Sequence, residues 1–202
     1  MIKKVTDQVI GALEDVIYRL AIGGDIELAR LIAAVIGEEA EQVGWYRMQE
    51  GKVPAELPFL TDGAASFAFT LIQEFTLLDS CPNKNEIPLE TFQKLTILTP
   101  PGPHDQVVRV SFMPLPGSNE GQNVSGQLFL TYVNQQNLPF SVPLEIVANY
   151  DSVTVGEAFF PYEEHFLNGF TLAAVTTAPG PFPNADAVAR VSIAGPGLII
   201  VH

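Results

Sequence analysis

The sequence predicts an α+β protein whose first half is helical and whose second half is an antiparallel β-sandwich. Apolar residues recur at spacings of three and four in the first part of the chain, and a Pro100-Pro101-Gly102-Pro103 break follows. Beyond the break come short β-rich runs separated by turn residues. The expected units are a helical one over 1–99 and a sandwich over 104–202.

Val5, Val9, Leu13, Val16 and Leu20 mark one face of a first helix, from Val5 to Ala21, that Gly23-Gly24 ends. Asp25 suits the N-cap of a second helix running to Glu50, with Gly51 as its stop and Pro54 soon after. Its stretch Leu28 to Ile36 is apolar nearly all round, which predicts a central position. A third helix is expected from Gly63 to Leu78, with Phe67, Leu71, Phe75 and Leu78 on one face, closed by Asp79-Ser80-Cys81-Pro82. A short helical turn near Leu89 to Phe92 precedes the break. Strands are expected over Val107–Phe112, Gln127–Val133, Val142–Val147, Thr171–Thr176, Ala187–Ile193 and Leu198–Val201. Strands this short at this spacing suggest a sandwich of about 95 residues.

Ten Lys and Arg against 23 Asp and Glu give a formal charge of −13, which repels phosphate backbones and anionic membrane surfaces. Nucleic acid and membrane are therefore not expected partners. The single Cys81 excludes an intramolecular disulfide and any multi-cysteine metal site. No apolar run has the length of a signal peptide core or a membrane span, so as written the chain is expected in the cytoplasm. Asn123-Val124-Ser125 fits a glycosylation tripeptide, which has no consequence in that compartment.

The chain contains no phosphate-binding loop, no dinucleotide glycine fingerprint and no Gly-x-Ser-x-Gly elbow. Its three histidines, His104, His165 and His202, have no second histidine or cysteine at ligand spacing, so each reads as a solvated loop or terminal residue. One carboxylate stands out. At about 100° per residue, Glu39 falls in the same direction as Leu28, Ile32, Ile36, Val43 and Tyr46, while Glu38 and Glu41 turn outward. A carboxylate on an apolar face must be paired, protonated or bound to something, because an isolated buried charge is too costly to keep. Glu14, among Ile10, Ile17 and Tyr18, is a second and more marginal case.

Glu39 followed by Trp45, then Pro58-Phe59, Asp79-Ser80-Cys81-Pro82 and Ile87 to Thr96, resembles the later part of fungal ferritin-like proteins labelled stress-response or late sexual development proteins. These are related to plant desiccation proteins. The ending Val191 to Ile200 is similar to that family's β-rich tail. The resemblance implies half of a ferritin-like bundle, whose full form holds a di-iron centre through carboxylates and Glu-x-x-His motifs. Here the position three after Glu39 is Gln42, and at most Glu14 and Glu39 remain of the ligand set. Ferroxidase or oxygenase chemistry is accordingly not expected, nor any metal or cofactor.

Three functions remain in competition. The first is metal-independent binding of an apolar small molecule, extending to cofactor-free isomerisation, dehydration or cyclisation in fungal secondary metabolism. Glu39 would be the catalytic acid or base, and Glu14, Tyr18, Gln42, Trp45 and Tyr46 would contact the substrate. The second is a non-enzymatic structural or stress-associated role on a degenerate ferritin-like core. The third is a carboxylate metal site completed across a dimer. Half a bundle leaves an apolar face uncovered, so a homodimer through the first two helices is expected. Because the histidines are few and badly spaced, the purified protein should carry only sub-stoichiometric iron, manganese and zinc and keep its melting temperature in chelator. Elemental analysis finding a full equivalent of metal per chain would overturn that expectation.

Overall fold

The computed structural model describes residues 2–54, 59–77, 80–113, 126–135 and 137–201. His202, the Asn123-Val124-Ser125 tripeptide, Pro58, Leu78 and Asp79 lie outside them. Helices come first, and seven antiparallel strands follow, so the α+β expectation holds. Helix α1 spans Ile2–Gly23 and helix α2 Ile26–Gln49. Gly24, at φ +88°, makes the turn between them in a conformation that favours glycine. Asp25 occupies the expected cap position of α2 without a side-chain capping bond. Helix α3, Ala65–Gln73, is shorter than expected. The helical turn expected at Leu89–Phe92 is absent; a single 3₁₀ turn sits earlier, at Lys84–Glu86.

The strands are β1 Thr96–Ile97, β2 Gln106–Phe112, β3 Leu128–Asn134, β4 Phe140–Asn149, β5 Thr154–Phe160, β6 Gly169–Thr176 and β7 Ser192–Val201. They form one sheet in the order β1-β2-β5-β4-β3-β6-β7. The expected sandwich of two packed sheets is thus corrected: a single sheet curls until its ends meet and is nearly closed, like a barrel. A parallel bridge between Gln93 and Ala194 joins the ends, and the Gly195 N–H donates to the Gln93 carbonyl at 2.9 Å. Gly197 allows the ends to come this close, since a Cβ there would lie 2.9 Å from Ile97 Cδ1 and 3.1 Å from Leu95 Cδ2. Strand β1 lies before the Pro100 break yet pairs with β2 and belongs to the sheet.

Two further readings need correction. Strand β5 was not expected, because its inward positions include the small residues Gly156 and Ala158, which weaken the alternation that marks a strand. Gly156 leaves the room that Leu144 occupies. A helical turn, α4, Tyr162–His165, follows β5, and the expected strand at Ala187–Ile193 begins as another, α5, Ala185–Ala189, with only Ser192 and Ile193 joining β7; the Asn184 side chain accepts from the Ala187 N–H.

Alternation then assigns the two faces of the sheet. Val108, Val110, Phe112, Leu130, Tyr132 and Phe160 fill the interior. On the outer face, Phe170, Leu172 and Ala174 of β6 pack against Phe67 of α3 and Val188 of α5. Every residue of β6 is buried, because it has the interior on one side and helices on the other. Helix α1 rests on α3, and α2 rests mainly on α1 alone. This corrects the expectation that α2 is central: it is the outermost layer, and only Ala29, Val43 and Arg47 along it are buried.

Gly11 sets the spacing between α1 and the layer beneath, because a Cβ there would lie 2.1 Å from the Thr61 carbonyl oxygen. Gly37 on α2 has nothing near its would-be Cβ. Gly11→Ala should therefore cost about 3 kcal/mol by pushing α1 off its seat, while Gly37→Ala should gain about 1 kcal/mol from helix propensity. Thermal or urea melts of the two variants check this, and equal effects would contradict the layer order.

Candidate functional site

The residues singled out from sequence occupy the outer helical layer, and the structure divides them. Glu39 is half-buried rather than inward, and it has no hydrogen-bond or ion-pair partner among the described residues. The inward stripe of α2 runs through the buried Ala29, Val43 and Arg47 with Ile36 half-buried between them, and is rotated by roughly 40° from the direction of Ile32. Glu39 therefore falls at its margin. A helix that meets one neighbour buries a narrower stripe than a central helix, and the apolar run Leu28 to Ile36 concealed that difference.

Gln42 is exposed, and its amide donates to Glu38 one turn back at 3.3 Å. Trp45 and Tyr46 meet edge to face, ring centres 5.3 Å apart, but both face outward, Trp45 at 58% exposure. Tyr18 is exposed on α1. Residues missed from sequence complete this surface. Leu31, at 61% exposure, lies beside Leu28 and Val35, so the outer face of α2 carries apolar side chains towards both ends with Glu38 and Gln42 between them. The signal was present in the apolar run, whose width was read as burial.

Glu14 points elsewhere, into a group of charges where α1 meets the segment before α3 and the start of α5. Asp62 accepts from the Ala185 N–H at 3.0 Å. Arg19 bridges Asp15 and Asp186, its contact to Asp186 being 3.1 Å, and Arg190 pairs with Asp186 at 2.6 Å. Burial, and then the neighbouring Asp62 carboxylate, push Glu14 above its ordinary value of 4.5. Burial likewise pushes Asp62 above 3.8, against the restraining N–H groups of Ala185 and Gly63, with Asp15 and Asp186 adding to the rise. Nearby Gln8 is buried with neither amide atom hydrogen-bonded, wedged where Gly63 passes α1. Among the described residues no three His, Cys, Asp or Glu side chains are placed to share a metal ion.

A cavity of about 120 Å³ lies between the α1–α2 pair and the sheet, lined by Ile10, Val43, Arg47, Leu60, Thr61, Phe170 and others. Arg47 is buried, and its Nε donates to the Val53 carbonyl at 2.8 Å. None of Glu14, Tyr18, Glu39, Gln42, Trp45 and Tyr46 lines this cavity. Among the described residues no helix is long and apolar enough to cross a membrane. Neither the family models nor the curated proteins compared with this chain produce a match.

A carboxyl with a raised pKa in the fold binds its proton more tightly there than in the unfolded chain. Its stabilising contribution is complete below its ordinary value and is lost as pH rises through the raised one. Glu14→Gln should therefore be increasingly stabilised relative to the parent as pH climbs from about 4 to about 7. Paired melting curves across that range test this; a difference independent of pH would show that Glu14 titrates normally.

Proposed function

We propose that this protein is a non-enzymatic, structural or protein-binding module, and that the outer face of α2 is its docking surface for an amphipathic helical partner. The observation that carries this reading is the exposure of Leu28, Leu31, Val35, Trp45 and Tyr46 on one helix whose other side is already seated on α1. Each leaves on the order of 100 Å² in water, about 500 Å² together in two apolar stretches on either side of Glu38 and Gln42, more than singly scattered surface side chains would give. A chain with net charge −13 is repelled by anionic lipid, which favours a protein over a membrane as the occupant.

The resemblance to the fungal ferritin-like stress proteins supports the same reading, with α1 and α2 standing for half of a four-helix bundle whose other half comes from the partner. Catalysis at Glu39 has weaker support. The carboxylate does not line the cavity beside Arg47, and that cavity, about 120 Å³, is below the roughly 300 Å³ of a small-molecule site. Cofactor-free turnover remains the alternative for that cavity.

The test is a photo-reactive amino acid introduced in the living cell in place of Val35, with one in place of Glu157 on the sheet as control. Position 35 should give a protein–protein adduct that Leu31→Glu abolishes without lowering the melting temperature, since Leu31 is exposed. No adduct at 35, or equal adducts at 35 and 157, would count against a docking face on α2.

A further inference from the structure

We infer that the occupant of the α2 face is a second copy of this chain, running antiparallel to the first across a two-fold axis beside residues 36 and 37. This rests on the docking reading and names its partner. The positions Leu28, Leu31, Val35, Glu38, Gln42 and Trp45 alternate at spacings of three and four, the seam of a two-helix pairing. Their pattern is self-complementary in one direction only. Antiparallel pairing about that point sets Leu28 against the second copy's Trp45, Leu31 against Gln42 and Val35 against Glu38. Both apolar ends are covered at once, and a two-fold operator closes the assembly at two chains.

Charge selects the same direction. Glu38, Glu39 and Glu41 crowd one half of α2. A parallel pair would lay these carboxylates side by side and align the two helix dipoles; the antiparallel register sets them against the uncharged stretch Ile32 to Val35 and opposes the dipoles. The area sits at the limit: the exposed apolar side chains offer at most about 500 Å² from each chain, about 1,000 Å² in total, the lower bound for a specific interface, which points to a weak, reversible dimer.

Sedimentation of the full chain carrying Cys81→Ser should show dimers forming at about 1–100 µM. Leu31→Glu should raise the dissociation constant at least about tenfold. Glu38→Leu, which fills a polar seam position with an apolar side chain, should lower it by about the same factor. Direction is read by oxidising mixed chains in the same background: Leu28→Cys should cross-link to Trp45→Cys and not to itself. A chain that stays monomeric at about 100 µM overturns the inference. So does a Leu28→Cys self-cross-link, or a Glu38→Leu variant no tighter than the parent. The docking reading survives such a failure if the photo-adduct at position 35 contains a different protein, and falls with it if there is no adduct.

Discussion

Four consecutive residues, Thr61 to Ala64, hold the two halves of the molecule together. The Thr61 hydroxyl donates to the Phe170 carbonyl at the start of β6 and accepts from the Gln135 N–H just after β3. It thereby fixes this segment to the end of the sheet. Asp62 reaches α5 through the Ala185 N–H, Gly63 passes against α1, and Ala64 is fully buried at the head of α3. Each layer is thus positioned relative to one short extended segment. A buried hydroxyl that both donates and accepts is also fully satisfied, so the tie carries no desolvation penalty that another contact must offset.

The close seat of α1 on this segment has an electrostatic consequence. Glu14, Asp15, Asp62 and Asp186 converge where α1 meets Asp62 and α5, and Arg19 and Arg190 balance them only in part. Half-burial in such company favours the protonated form of Glu14 and Asp62. The interface between layers holds these two carboxyls, whereas the sheet interior is filled with apolar side chains and a Tyr132 hydroxyl bonded to the Phe159 carbonyl. Helical layer and sheet are expected to respond differently to solution conditions although they share one tie.

Layer order also explains why the expected catalytic Glu39 and the substrate-contacting candidates on the same helix lie at the surface. Glu39, Gln42, Trp45 and Tyr46 all lie on the one helix that has a neighbour on a single side. An inward carboxylate would have had to find a partner; a marginal one is hydrated and needs none. The apolar character around it then lies on the surface of α2, where the proposed partner would cover it. Buried contact with a partner and buried contact within a chain draw on the same side chains, so composition alone does not separate them.

By itself the sequence determined what is decided within a few turns of chain. The presence and extent of α1 and α2, the stop at Gly23-Gly24, and the runs that became β2, β3, β4, β6 and the last part of β7 were legible from spacing and turn residues, whereas the face each helix buries was not. Tertiary structure alone decided the rest. Closure of the sheet depends on Gly197 yielding to Leu95 and Ile97 about a hundred residues earlier, and β5 is recognisable only once Leu144 covers Gly156. The outermost position of α2 follows from where α1 is seated by Gly11. Periodicity records which side of an element is apolar, but not what lies opposite it, because the partner is set by chain closure over long sequence separations.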